Sequence, residues 1–99
     1  MKSLEKKITE IVNLLKKEIS PQKIILFGSR SKGNEKSFSD IDICVRTDTK
    51  PDHRKLRIIS EKIDQLAGIY SVDLIFWEDL REDFQKMIEK TGKVLYEEK

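Results

Sequence analysis

Residues 23–46, KIILFGSRSKGNEKSFSDIDICVR, contain two short apolar segments separated by a polar stretch. The first segment, residues 23–27, is a mostly apolar run with the length of a buried strand, and Gly28–Ser29 ends it. In the second segment, residues 40–45, aspartate or cysteine alternates with isoleucine or valine, which is the pattern of a strand with one buried face. The polar residues 30–39 therefore predict a loop between two strands.

Apolar residues at helical spacing predict a helix on each side of this stretch. The first helix is expected between Ser3, a plausible N-cap, and Ser20–Pro21, which would end it. Pro51 is expected in the first turn of the second helix, and Gly68 at its end. The side chains that share the inner faces of these helices are Leu4, Ile8, Ile11, Val12, Leu15 and Ile19, then Leu56, Ile59, Ile63 and Leu66.

The last third of the sequence predicts a strand over Val72–Phe76, another helix and an edge strand over Val94–Tyr96. This helix should begin near Asp79, whose spacing to Glu82 resembles a capping box. It should bury Leu80, Phe84, Met87 and Ile88. The alternation of helices and strands predicts a two-layer α/β domain with helices on one face of a sheet, and we expect residues 1–99 to form one domain.

The composition limits the kinds of partner and compartment that we expect. Lys and Arg number 20 against 18 Asp and Glu, and the signs alternate along the chain, so no basic stripe predicts direct nucleic-acid binding. Cys44 is the one cysteine, which leaves no internal disulfide. No apolar run has the length of a membrane span. We therefore expect a cytoplasmic protein that makes no membrane contact.

Asp40 and Asp42 carry the first chemical signal. Alternate residues of a strand project to the same face, so the two carboxylates should stand about 6.6 Å apart along the backbone. At an effective dielectric constant near 20 they would repel each other by about 2.5 kcal/mol. Two interpretations stay open at this point. The pair either lines the wet face of an amphipathic strand or binds divalent cations, and two ions roughly 3.5–4 Å apart would suit it.

The Gly28–Ser29 turn favours the second interpretation. A sharp turn after a strand exposes consecutive backbone N–H groups, and glycine lets a phosphate approach them closely. The Ser29 hydroxyl adds a donor, and Arg30 and Lys32 add positive charge nearby. A phosphate cradle next to a carboxylate pair is what a complex of a metal with a triphosphate needs.

The same residues resemble the defining motif of the nucleotidyltransferase superfamily related to DNA polymerase beta. The motif is apolar-Gly-Ser, here residues 27–29, followed after residues 30–39 by Asp-apolar-Asp-apolar, here residues 40–43. More narrowly, the stretch is similar to minimal nucleotidyltransferases found beside HEPN-domain proteins. The resemblance implies a polymerase beta-like fold with a mixed sheet of three to four strands covered by helices.

The resemblance also implies roles for individual residues. Asp40 and Asp42 would bind two Mg²⁺ ions. Gly28 and Ser29 would hold the β- and γ-phosphates of ATP. In this family a third carboxylate comes from a later strand, and Asp73 lies at the corresponding place. Alternatively, Asp73 is simply an acidic residue on the exposed face of a strand. Arg30 would neutralise phosphate charge or hold the loop through hydrogen bonds.

Two functions follow from this resemblance. In the first, the protein transfers AMP from ATP to a hydroxyl of a protein partner, as the antitoxin of a HEPN-type RNase toxin. Asp73 would then help to deprotonate the acceptor. In the second, the chain is a non-catalytic antitoxin or regulatory subunit that inhibits a HEPN partner by binding. Because a pure binder has no need of the Gly-Ser and Asp-x-Asp residues, their presence favours the enzyme.

Overall fold

The computed structural model describes residues 3–28 and 40–98. Over these residues three helices alternate with four strands in the order α1-β1-β2-α2-β3-α3-β4. The helices are α1 (Leu4–Ile19), α2 (His53–Ala67) and α3 (Glu82–Thr91), and the strands are β1 (Lys23–Phe27), β2 (Asp40–Arg46), β3 (Ser71–Phe76) and β4 (Lys93–Glu97). A single 3₁₀ turn, Trp77–Asp79, follows β3.

The strands form one mixed sheet in the order β3-β2-β1-β4. β1 is antiparallel to both β2 and β4, whereas β2 and β3 are parallel. A parallel connection needs a crossover, and α2 provides it. The mixed four-stranded sheet with three helices confirms the predicted fold class.

The main core lies between α1, α2 and one face of the sheet. The strand side chains on this face are fully or nearly fully buried: Ile24, Leu26, Ile41, Ile43 and Val45. Helix side chains at the predicted inward positions pack against them, including Ile11, Leu15, Ile59 and Ile63. Because strand residues alternate between faces, this packing directs Asp40 and Asp42 to the opposite face. We call that opposite side the open face; it also carries Phe27, Asp73 and Ile75.

The third helix lies on the open face, which corrects the expectation that all helices cover one face. Its Ile88 packs against Ile25, Phe27 and Cys44 in a second, smaller cluster. The connection from β3 to β4 runs between opposite edges of the sheet. It must therefore cross the sheet, and α1 and α2 already occupy the other face.

The helix ends follow the sequence in part. Ser3 caps α1 as predicted, and its Oγ accepts a hydrogen bond from the Lys6 N–H at 3.3 Å. Pro51 precedes the cap of α2 instead of entering the first turn, because Asp52 is the N-cap and accepts the Lys55 N–H at 2.8 Å. None of the helices in the described ranges is long and apolar enough to cross a membrane.

The predicted capping box at Asp79 is wrong. Asp79 lies in the 3₁₀ turn and forms an ion pair with Lys50 at 2.5 Å. The helix α3 starts at Glu82, with Arg81 as an N-cap that makes no side-chain capping bond. The carboxylate of Asp79 thus connects the turn to the segment after β2, so it is not available to the α3 backbone.

Candidate active site

Asp42 and Asp73 lie directly opposite each other on the parallel strands β2 and β3. The neighbours of Asp73 in sequence, Val72 and Leu74, pack against the main core, so Asp73 itself points to the open face. Asp42 is partly buried there and Asp73 is exposed. The crossover through α2 therefore brings together two carboxylates that lie far apart in the sequence. We call Asp42 and Asp73 the acidic pair.

The surroundings of Asp42 in the acidic pair raise its pKa. Burial raises the pKa of Asp42 above its usual value of 3.8, and the nearby charge of Asp73 raises it further. A side-chain hydrogen bond between Asp42 and Asp73 favours protonated Asp42, and the charge of Asp40 adds a smaller effect in the same direction. Partial burial and neighbouring negative charge therefore act together on Asp42.

Asp40 lies at the start of β2, two residues before Asp42 and opposite Ser71 of β3. It is exposed, and its charge acts on Asp42. Across residues 3–28 and 40–98, no three Asp, Glu, His or Cys side chains come close enough together to hold a metal ion. The predicted trio is thus arranged as one close pair, with Asp40 further out on the same face.

Gly28 follows the end of β1 and adjoins Asp42, because Phe27 is the register partner of Asp42. Its φ is +82°, a left-handed conformation that favours glycine. A Cβ atom added at this position would lie 2.5 Å from Asp42 Oδ2. The predicted Gly-Ser turn therefore begins beside the acidic pair. The predicted Ser29 and Arg30 lie outside the described residues.

The acidic pair opens into a groove of about 380 Å³ at the β3 edge of the sheet. On the open face the groove is lined by the two carboxylates and by three apolar side chains, Phe27, Ile75 and Phe84. The helix α2 contributes to the other side of the groove with Ser60, Ile63 and Asp64. One continuous depression therefore combines an anionic part with an apolar part.

Sequence reasoning did not identify Phe84 as part of a site. It predicted that Phe84 and Met87 would be buried in α3, but their side chains are 39% and 40% exposed, and only Ile88 of this helix is fully buried. Phe84 contacts Phe27 edge to face, with ring centroids 6.1 Å apart. No signal in the sequence indicated this exposure, because Phe84, Met87 and Ile88 have the i, i+3, i+4 spacing of a single buried stripe.

Cys44 is a structural residue. It is fully buried between the sheet and α3. Burial, with a further contribution from the charge of Glu78, raises the pKa of its thiol to about 12. Since the thiolate is the reactive form of cysteine, this side chain serves as a small apolar core residue.

Known proteins similar to this chain include nucleotidyl-transferring enzymes. The chain is 30% identical over 88 residues to the "Probable protein adenylyltransferase MntA" of Haemophilus influenzae, covering 88% of this chain and 77% of that protein. It also resembles a solved toxin–antitoxin structure with AMP-PNP, at a TM-score of 0.77 and 30% identity, over 98% of this chain and 76% of that one.

A second similar structure contains the tri-AMPylated HEPN toxin of Shewanella oneidensis in complex with an MNT antitoxin. Its TM-score is 0.73 at 26% identity, and the match covers 95% of this chain and 72% of that chain. The fold of this chain is therefore shared with proteins solved in toxin–antitoxin complexes.

The family model for "Polymerase beta, Nucleotidyltransferase" matches residues 9–99. Nucleotidyltransferases of this kind generally use divalent metal ions. The carboxylate oxygens of the acidic pair are ligands of the type that hard divalent cations prefer, and the raised pKa of Asp42 marks a position where positive charge is favourable. The motif, the fold and the position of the carboxylates agree with this match, and the chain belongs to the polymerase beta nucleotidyltransferase family.

Proposed function

We propose that this chain transfers AMP from ATP to a hydroxyl group of a HEPN-type partner protein in the cytoplasm, and that it thereby acts as the antitoxin of that partner. The observation that carries the proposal is the in-register position of Asp42 and Asp73 beside Gly28. The similarity to a protein named as an adenylyltransferase and to structures of HEPN toxins with MNT antitoxins supports the choice of AMP and of partner.

The chain would bind ATP through two adjoining parts of the open face. Gly28 begins a turn whose backbone N–H groups, together with Ser29 and Arg30, hold the β- and γ-phosphates. Asp42 and Asp73, with Asp40 next to them, hold divalent cations, which we take to be two Mg²⁺ ions. When bound, such ions would offset the repulsion between the carboxylates and stabilise negative charge on the triphosphate.

The transfer then exchanges one phosphorus–oxygen bond for another. The acceptor hydroxyl oxygen bonds to the α-phosphorus, the bond from the α-phosphorus to the oxygen bridging to the β-phosphate breaks, and pyrophosphate leaves. The hydroxyl proton passes to a carboxylate. Asp73 is the best placed acceptor of that proton, because it is exposed on the open face while Asp42 is partly buried.

The shape of the groove supports a macromolecular acceptor. Its volume of about 380 Å³ is at the lower end of the range for small-molecule sites, which leaves no room for an enclosed second substrate beside a nucleotide. The groove lies at the β3 edge of the sheet, and α2 borders it on one side only. A second protein can therefore bring its own hydroxyl to the nucleotide.

Intact-mass spectrometry of the partner tests the proposal. We would incubate a HEPN-type protein from the same organism with ATP, Mg²⁺ and the purified chain, and we expect that partner to gain the mass of one or more AMP groups. Asp42→Asn, which preserves shape but removes charge from the acidic pair, should abolish the gain. Asp48→Asn is the matched control, because Asp48 is an exposed aspartate beyond the other end of β2.

Three results would contradict the proposal, the last of them in its acceptor alone. If Asp42→Asn modifies the partner as fast as the parent chain, the acidic pair is not the catalytic site. If the partner is inhibited by the chain and never gains mass, the chain acts by binding alone. Labelling of tRNA or of a small metabolite, with the partner unmodified, would show that the acceptor is wrong while the transfer chemistry stands.

A further inference from the structure

Phe84 is the apolar side chain of the groove that the fold leaves most available to a ligand. Its ring is 39% exposed although it belongs to a helix whose Ile88 is fully buried. The edge-to-face contact with Phe27, which is itself nearly buried, holds the Phe84 ring in place at the groove. An aromatic ring that is both held and exposed is suited to contact a flat ligand group.

The apolar part of the groove is continuous with the acidic pair. Ile75 lies two residues beyond Asp73 on the same face of β3, and Phe27 is the register partner of Asp42. The carboxylates and the apolar side chains of the groove are therefore neighbours, two residues apart along β3 and adjacent across β1 and β2. A ligand with a charged end and a flat apolar end would match this order along its own length.

We propose that Phe84, with Phe27 and Ile75, forms the subsite for the nucleobase of the bound nucleotide. This inference rests on the proposed function, because it takes the acidic pair as the site of the metal-bound phosphates. A nucleoside triphosphate joins a polyanion to an aromatic base in one small molecule, as the two parts of the groove require. The acceptor, as part of a protein, reaches the nucleotide from the open β3 edge and does not occupy this subsite.

A comparison of two ligands, one with a base and one without, distinguishes base binding by Phe84 from a purely structural role of this side chain. ATP and inorganic tripolyphosphate carry the same three phosphates, but tripolyphosphate has no nucleoside. With Mg²⁺ present, Phe84→Ala should weaken ATP binding about tenfold, the scale of one lost base–aromatic contact. Tripolyphosphate affinity should stay within about twofold of the parent value, because its contacts are with the cations held by the carboxylates and with the turn at Gly28. Titration calorimetry measures both affinities.

Further variants control for folding and for the loss of apolar surface. Phe84→Tyr keeps the ring and should bind ATP nearly as well as the parent chain. Phe84→Leu keeps most of the volume without the ring, so it should weaken ATP binding even if Phe84→Ala does not fold. Met87→Ala is the matched control, since Met87 is equally exposed on α3 but does not line the groove, and it should leave both affinities unchanged.

The inference and the proposed function fail in different ways. If Phe84→Ala or Phe84→Leu binds ATP as tightly as the parent chain, the base lies elsewhere and only the subsite is wrong. Equal weakening of ATP and tripolyphosphate would show that Phe84 merely supports the acidic pair, which also overturns the subsite. If the parent chain binds neither ligand with Mg²⁺, nucleotide binding itself is absent and both proposals are wrong.

Discussion

The two faces of the sheet use the same strands for opposite purposes. On the face under α1 and α2, β2 presents Ile41, Ile43 and Val45, all of which are fully buried. On the open face the same strand presents Asp40 and Asp42, which are exposed or only partly buried. One face is an apolar core, whereas the other carries the carboxylates beside the smaller apolar cluster around Cys44. In this part of β2, residues that stabilise the core therefore alternate with residues that are candidates for catalysis.

The comparison shows where the fold gains and where it loses free energy. Burial of apolar surface on the face under α1 and α2, the helix-covered face, stabilises the sheet. Ionised Asp42 opposes folding, because burial and the nearby charge of Asp73 raise its pKa. A residue that lowers stability while the rest of its strand raises it is a candidate for function. Substitutions on the two faces should therefore have effects of different kinds.

The largest expected effect is on catalysis from the open face. Asp73→Asn should slow AMP transfer by about a hundredfold or more, since a positioned general base contributes about 10²–10⁴-fold. Nucleotide affinity should fall far less than the rate, because a base acts in the transition state while Asp40 and Asp42 remain to hold a cation for the triphosphate. Comparison of initial rates with calorimetric ATP binding tests this. Transfer at the parent rate would return Asp73 to the role of an exposed acid on a strand.

The next effect is on stability from the helix-covered face. Ile43→Ala removes most of a fully buried side chain and should lower the free energy of unfolding by about 2–5 kcal/mol. Ile69→Ala is its control, because Ile69 is 67% exposed, and it should change stability by less than about 0.5 kcal/mol. Urea denaturation measures both. Equal losses in the two variants would mean that burial of Ile43 under α1 and α2 does not contribute to stability as described.

The smallest effect is a pH dependence that distinguishes the acidic pair from the core. Asp42 binds its proton more tightly in the folded chain than in the unfolded chain, so the folded state loses relative stability as pH rises from 3.8 through the raised pKa. Asp42→Asn cannot titrate, and without divalent cations it should be more stable than the parent chain above that window. The advantage should shrink at lower pH.

Thermal denaturation across pH, with and without millimolar Mg²⁺, measures this difference. Mg²⁺ should raise the melting temperature of the parent chain more than that of Asp42→Asn, because a ligand stabilises the state that binds it. A stability difference that stays constant with pH, or a variant less stable than the parent at neutral pH, would contradict the assigned cause of the raised pKa.

The sequence predicted the fold where local patterns determine structure. The spacing of Ile11, Leu15 and Ile19 predicted α1, and the structure buries all three side chains. The position of α3 was missed, because an amphipathic helix indicates a buried stripe but not the face against which the stripe packs. That choice depends on β3 and β4 lying at opposite edges, and strand order is a property of the whole fold.

The candidate site was predictable in composition but not in arrangement. The motif indicated Asp40 and Asp42 as the close pair, whereas the structure makes Asp42 and Asp73 the closest carboxylates. Their contact depends on the register between parallel strands, which the sequence of either strand leaves open. Phe84 was missed for a related reason, since its exposure depends on the path of α3 across the sheet.

The two hydrogen atoms on the Cα of Gly28 are not equivalent. An L-amino acid would replace the hydrogen that points at Asp42 Oδ2, and its Cβ would stand only 2.5 Å from that oxygen. The backbone there, with φ at +82°, has the handedness that suits a D-residue. The carboxylate thus occupies space that the natural chirality of proteins would otherwise fill. D-alanine introduced by chemical synthesis would keep both this backbone and the position of Asp42, whereas L-alanine would displace one of them.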